Sequence, residues 1–415
     1  MNFCLASLYR PNYRPLAELT IDRNKIPYCE RHGYSWCLMT DGFSNNLGFD
    51  KIRHMLWIMT EHAEFDWVFW CDCDTLITNF HIRLEELVNT DRHVIVAPDW
   101  CAQVQAGVFL VRCSPEGKAF LSDVLDQESR LKNHGWAENQ AMIDLLQKHR
   151  AIIERVPQRK INAYDYARHF REKYPLQPKV MEGVDFYGQD GQWKLGDFMI
   201  HWPSLSMETR ISEAKRLLPM VRGNRSNPDL IEYIKQLAGP LRAETFAAAA
   251  EFILRHDPGC IVETGCYRGS DCDGNSTLIL ALLAMEIGPD CQCYSVDISV
   301  EHIASAKKRL AEVGIASDTV TFVESDSVAW LRKFNTQIGF AYLDSFDHDP
   351  NNPLPCQQHQ LAEVTNCLPM MTTPAAFLLD DNVAETGGKT KLACAHLESL
   401  GWKKAAEGYQ VLFTK

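Results

Sequence analysis

Apolar residues in this chain gather into short runs that end abruptly in carboxylates. The clearest, Asp66-Trp67-Val68-Phe69-Trp70-Cys71-Asp72-Cys73-Asp74, predicts a buried strand that empties into two acids one residue apart. Similar strands are predicted at Met1 to Tyr9, Ala106 to Arg112 and Phe198 to His201, with a helix around Phe49 to Leu56. The stretch Ser206 to Gly239 is polar and arginine-rich, broken most clearly at 223–228, and reads as a connector with short helices. From Ala243 the chain becomes helical through Phe246 to Leu254 and then alternates strands and helices. Strands are predicted at Ile261 to Thr264, Cys293 to Asp297, Ile338 to Asp344 and Ala375 to Val383. That alternation is the pattern of a doubly wound sheet. The predicted fold class is therefore α/β in two domains, residues 1–205 and 243–415, with residues 206–242 as a helical linker.

Composition fits this division. A chain of 415 residues is long enough for two or three domains, and 46% hydrophobic with 23% charged residues is ordinary for globular proteins. A formal charge of -12 argues against a nucleic-acid partner, which calls for a concentrated basic face. The opening residues lack the features of a signal peptide, and no apolar run approaches the roughly 20 residues needed to span a bilayer. The expectation is a soluble cytoplasmic protein. Fifteen cysteines without a regular framework fit reduced thiols, and Cys71-x-Cys73 and Cys291-x-Cys293 read as small buried hydrophobes in strands.

Side chains at i and i+2 of an extended chain share a face, so Asp72 and Asp74 can converge on one hard divalent cation and its attached phosphates. A nucleotide-sugar transferase uses such a metal to neutralise its diphosphate leaving group. A polar surface turn is the competing reading of Asp-x-Asp. Around the pair stand His32-Gly33-Tyr34, the segment bearing Lys51, Ala106-Gly107-Val108-Phe109-Leu110, Trp136-Ala137-Glu138-Asn139-Gln140 and Phe198-Met199-Ile200-His201. This ordered set resembles the galactosyl/xylosyltransferase family, retaining GT-A enzymes related to plant xyloglucan xylosyltransferases and yeast mannan transferases. The resemblance implies Mn²⁺ held by Asp74 and His201, with Asp72 near the metal and donor ribose. It also implies Lys51 on the diphosphate, and Asn139 and Gln140 on sugar hydroxyls. Gln105 departs from the asparagine common there.

In the second half, Glu263-Thr264-Gly265-Cys266-Tyr267-Arg268-Gly269 is a strand running into a glycine turn, where bare backbone lets a ligand approach closely. Asp297 ends the next strand, the position from which Rossmann-like folds bind a ribose. With Leu343-Asp344 and Leu378-Leu379-Asp380-Asp381-Asn382-Val383, the region resembles class I S-adenosylmethionine-dependent O-methyltransferases of the metal-dependent catechol and caffeoyl-coenzyme A type. By that resemblance Glu263, Gly265, Tyr267 and Gly269 frame the cofactor's methionine end, Asp297 its ribose, and Asp326 or Ser327 its adenine edge. Asp344, Asp381 and Asn382 would bind Mg²⁺. The family's lysine base is missing after Asp344, so His348 or Asp347 would take the acceptor's proton, and Asp271 to Asn275 is extra material that would form a lid.

These readings combine into a bifunctional glycan-modifying enzyme. One half would transfer a sugar from a nucleotide-diphosphate donor to a glycan acceptor, and the other would methylate a sugar hydroxyl. The alternatives are a methyltransferase acting on an unrelated small molecule, one half serving only as a glycan-binding module, and a scaffold without chemistry.

Overall fold

A computed structural model of the protein describes residues 1–415 except 101–102, 132, 171–189, 225–227, 270–274, 317 and 384–386. The proposed lid residues Asp271 to Gly274 lie outside the described residues. The chain divides into two compact units, Met1–Asn224 and Arg225–Lys415. No helix of the described residues is long and apolar enough to cross a membrane.

The first unit is built on a six-stranded sheet. Its strands are β1 (Phe3–Leu8), β2 (Ser35–Met39), β3 (Trp67–Cys71), β5 (Val94–Pro98), β6 (Val104–Arg112) and β7 (Ile153–Arg155), in the order β2-β1-β3-β6-β5-β7. β1, β2 and β3 run parallel, whereas β6 lies antiparallel to both β3 and β5. Every residue of β3 is buried, which explains its continuous apolar run. The helix Leu47–Glu61 lays Phe49, Ile52, Met55 and Ile58 against this sheet. A separate ribbon pairs β4 (Thr75–Ile77) with β8 (Met199–His201) in antiparallel register, Thr75 opposite His201. That register brings a residue from late in the unit beside the acids at the end of β3.

The connector expected from 206 contains the helix Met207–Leu217, which belongs to the first unit, and the helix Pro228–His256, which opens the second. The latter bends at Gly239, where φ is 71° and Pro240 follows. The second unit is a seven-stranded sheet of β9 (Cys260–Thr264), β10 (Gln292–Asp297), β11 (Thr321–Glu324), β12 (Ile338–Leu343), β13 (Met371–Leu379), β14 (Lys403–Glu407) and β15 (Val411–Thr414). The order is β11-β10-β9-β12-β13-β15-β14, parallel from β11 to β13 and antiparallel at β15 and β14. Chain order reverses between β9 and β12, and ligands of open α/β sheets bind beyond the strand ends at such a point. The helix Ser276–Ile287 is apolar nearly all round because almost all of it is buried.

Arg242 ties the kinked helix to the sheet through three hydrogen bonds to Asp380, whose side chain is wholly buried. Removing one partner of such a pair leaves an uncompensated charge, so Arg242→Met is expected to lose about 3–5 kcal/mol of stability. Urea unfolding of the full chain checks this; an unchanged midpoint would remove the pair from the stabilising interactions.

Candidate functional site

Beyond β3 the backbone turns so that Asp72 N–H donates to Gly107 O at 2.8 Å and the Asp72 carbonyl accepts from Thr75 N at 3.2 Å. The turn aims both acids into a cavity of about 200 Å³ lined by Tyr9, Lys51, Asp72, Asp74, Glu138 and Arg210, among others. Lys51 is buried and reaches Asp72 at 3.0 Å, Glu138 at 3.1 Å and the carbonyl of Ala106 at 2.9 Å. Burial alone would lower its ammonium pKa, but Asp72 and Glu138 outweigh that and raise it. Arg210 binds Asp74 at 2.7 Å. Burial disfavours the Asp74 anion, yet His201 and Arg210 overcome it and hold the carboxyl at about 2. Asp72 is shifted upward, with burial prevailing over Lys51.

His201 is almost fully buried. Its Nδ1 lies 2.8 Å from Asn162 Oδ1, and the Asn162 amide nitrogen donates to Pro98 O at 3.0 Å and to the Tyr164 hydroxyl at 3.3 Å. Those two bonds fix the Asn162 oxygen as an acceptor. His201 Nδ1 therefore carries a proton, and Nε2 faces Asp74 Oδ1 at 3.5 Å, where it becomes a ligand on giving up its own. A separation of this size is one that a single ion with bonds of roughly 2.1 Å bridges. Asp72, Asp74 and His201 together form a group able to hold a metal ion. Gly107 makes room for it: a Cβ there would sit 2.5 Å from His201 Cε1 and 3.1 Å from Asp72 Oδ2.

The structure thus brings together Lys51, Asp72, Asp74 and His201. Asn139 instead accepts from Ala106 N at 2.6 Å, and Gln140 donates to Asp144 at 2.7 Å on the exposed side of its helix. Neither lines the cavity; their neighbour Glu138 does. Gln105 bonds back to Gly107 N at 2.9 Å. Sequence reasoning missed Glu138, although it stands inside the quoted Trp136 to Gln140 run, and missed Arg210, hidden among many arginines in the supposed connector.

In the second unit Gly265 leaves β9 with φ of 79°, and a Cβ there would meet the Asp344 carbonyl at 2.4 Å, so only glycine lets the two strand ends close. They face a cavity of about 310 Å³ lined by Gly265, Arg268, Asp297, Ile298, Asp344 and Phe346, among others. Asp297 accepts from Cys266 N at 3.0 Å and Ser299 N at 2.8 Å, fixing its carboxylate at the rim. Exposed Ile298 and Phe346 offer apolar surface there. Glu263 lies beneath the turn, bonded by Thr277 at 2.8 Å and Ser295 at 2.5 Å. Tyr267 and Gly269 belong to the turn without lining the cavity, and Tyr267 packs by Ile303. Asp326 caps the next helix at Ala329 N, while Ser327 joins Ser345 and His359. Asp347 lines the cavity and pairs with Arg268 at 2.7 Å; His348 is half-buried and outside the lining.

Asp344, Asp380 and Asp381 lie close enough for one ion. The predicted partner Asn382 is not in that group. Its side chain accepts from Thr390 at 3.0 Å and donates to Gly408 O at 3.0 Å. Buried Lys389 contacts both Asp344 and Asp381, Tyr342 and Tyr409 donate to the same two acids, and Arg242 occupies Asp380. Every oxygen of these three carboxylates has a donor of the chain's own.

Residues 9–94 and 89–204 match the galactosyl transferase GMA12/MNN10 family, so the N-terminal unit carries the signature of that glycosyltransferase family. An uncharacterized alpha-1,2-galactosyltransferase of Schizosaccharomyces pombe is 26% identical over 189 residues, 35% of this chain and 50% of the relative. The chain spans about half the length of the curated relatives it matches. Among solved structures, a glycosyltransferase involved in the glycosylation of the major capsid of PBCV-1 aligns with 52% of this chain and 100% of its own, at 13% identity and a TM-score of 0.40. An SAH-bound methyltransferase of Podospora anserina aligns with 45% of this chain and 88% of its own, at 11% identity and a TM-score of 0.33.

Burial raises the Glu263 carboxyl from 4.5 to about 7, with the three hydroxyls of Ser276, Ser295 and Thr277 only partly offsetting it. A carboxyl that keeps its proton when folded contributes stability fully below the unfolded value and loses it as pH rises through the folded one. Between pH 4.5 and 7 this group is expected to lower stability by roughly 1.4 kcal/mol per pH unit, a slope that Glu263→Gln abolishes. Urea midpoints of both proteins across that window measure it; parallel curves would refute the assignment.

Proposed function

We propose that the protein is a bifunctional glycan-modifying enzyme. Its N-terminal unit transfers a sugar from a nucleotide-diphosphate donor to a glycan hydroxyl with retention, and its C-terminal unit methylates a sugar hydroxyl using S-adenosylmethionine. The observation that carries the first activity is the convergence of Asp72, Asp74 and Nε2 of His201 on one cavity that also presents Lys51 and Arg210. A donor diphosphate is an anion seeking a metal and cations, and this cavity supplies both in a partly dehydrated setting where they act strongly.

When bound, Mn²⁺ would neutralise charge developing on the departing diphosphate. Asp74 and His201 would hold it, with Asp72 near it and the donor ribose. Lys51, already fixed by Asp72 and Glu138, presents its charge to the diphosphate without paying ordering entropy at that moment. Arg210 restrains Asp74 from the opposite side. Asn139 and Gln140, expected on sugar hydroxyls, flank Glu138, whose carboxylate is the acid of that helix facing the cavity.

For the second activity, S-adenosylmethionine supplies an electrophilic methyl group. The bare backbone at Gly265 admits the cofactor closely, Asp297 presents an acceptor to its ribose, and Ile298 and Phe346 offer apolar faces to its purine. Tyr267 and Gly269 shape the same turn, and Asp326 and Ser327 lie at the end of β11. His348 is the better base for the acceptor's proton, because Asp347 is engaged by Arg268 and a histidine titrates nearer neutrality. Thirteen described cysteines stand as free thiols, which suits the cytoplasm.

A screen of nucleotide sugars for Mn²⁺-dependent hydrolysis, followed by mass analysis of acceptor glycans with and without S-adenosylmethionine, tests the pair of activities. Asp74→Asn is expected to reduce sugar transfer on the order of 100-fold or more. Full turnover by that variant would end the metal-site reading. Asn162→Ala, which frees the His201 ring without touching the cavity, should weaken Mn²⁺ binding by roughly 10- to 100-fold. Equal Mn²⁺ affinity in calorimetric titration would show that the imidazole needs no such support.

A further inference from the structure

We infer that the acidic tip of the C-terminal sheet carries a cation of its own, the Lys389 ammonium, and takes no divalent ion. The position is built. Gly387 and Gly388 both adopt positive φ, and a Cβ on Gly388 would lie 1.7 Å from the Asp381 carbonyl, so the turn bearing Lys389 closes on the end of β13 only as glycine. Lys389 N donates to Asp381 O at 3.1 Å, and Gln357 grips the Gly388 carbonyl at 2.8 Å. Thr390 bonds Asn382 at 3.0 Å from the other side of the turn. Asn382, the residue expected to ligate an ion, serves to hold the lysine turn in place.

The ammonium itself is satisfied. It has three N–H donors, and it meets three oxygens, those of Asp344, Asp381 at 3.1 Å and the Phe346 carbonyl at 3.2 Å. The remaining oxygens of Asp344 and Asp381 accept from Tyr342 at 3.0 Å and from Tyr409. Arg242 covers Asp380 and lies over the Tyr409 ring at 4.6 Å. Three carboxylates thus face two buried cations. A divalent ion would have to displace the ammonium into a buried surrounding with no other acid in contact with it among the described residues, or share the acids with it at contact distance. Both are unfavourable for charges in a poorly screened interior.

The contrast with the N-terminal cluster sharpens the point. There Lys51 and Arg210 also bind the acids, but among the described residues Asp74 Oδ1 meets only the His201 imidazole, at 3.5 Å, and an imidazole can itself become a ligand by losing a proton. In the C-terminal cluster the lysine nitrogen itself bridges the two acids. Lys389 is a positioning residue: it holds Asp344 under the cavity and fixes the strand end that Gly265 closes on.

The test is the number of Mn²⁺ ions bound per full-length chain, read from the electron paramagnetic resonance of free Mn²⁺ during titration. The expectation is that Asp344→Asn leaves the wild-type count unchanged. Lys389→Met, which keeps the apolar stem and removes the charge, is expected to gain one ion, and adding Asp344→Asn to it should remove that ion again. Loss of an ion in Asp344→Asn alone would overturn the inference, as would a folded Lys389→Met that gains none. If Lys389→Met does not melt cooperatively, the comparison of wild type with Asp344→Asn decides. Loss of the wild-type ion in Asp74→Asn bears on the N-terminal reading only, so the two fail separately.

Discussion

A carboxylate at the tip of a buried strand must be met by a cation, and much of this molecule is arranged to deliver one. Both sheets end their central strands in aspartates, at Asp72 and Asp74 after β3 and at Asp344, Asp380 and Asp381 after β12 and β13. Lys51, Arg210, Arg242 and Lys389 answer them, each from a helix or turn outside the strand that carries the acid. Taking such charges from water costs several kcal/mol per ion unless partners are in place. The packing that carries these cations is therefore part of each site.

The same requirement separates the two halves chemically. In the N-terminal cavity an imidazole, which can give up its proton and become a ligand, faces Asp74 at 3.5 Å beside a cavity with room for an anionic ligand. In the C-terminal unit the counter-ions complete the acids, and the accessible space lies beside them, between Gly265, Asp297 and Phe346. On our proposals, similar strand-end chemistry serves a metal in one sheet and structural charge balance in the other.

The parts legible in the sequence are those with local signatures. The buried β3 run, the glycine turn after β9 and the acid after β10 followed from apolar runs and their abrupt ends, because strand burial and strand termination are written in adjacent residues. His201 was legible for the same reason. Lys51 was legible through the family resemblance, whereas Arg210 and Lys389 were not. Nothing near Arg210 distinguishes it from Arg216, and Lys389 reads as a solvent lysine until the sheet brings β12 and β13 side by side. Asn139 and Gln140 show the converse: three successive helix positions face different directions, and only the fold selects Glu138 for the cavity.

The β4–β8 ribbon is three residues long on each strand, and its register sets His201 opposite Thr75. A slip of one residue would turn the imidazole to the other face. Arg210 follows in the very next helix. The six-stranded sheet of this unit is complete at Arg155, so the centre is finished by the tail of its own unit: Asp72 and Asp74 follow a strand laid down early in the chain, and the histidine and arginine that meet them come last.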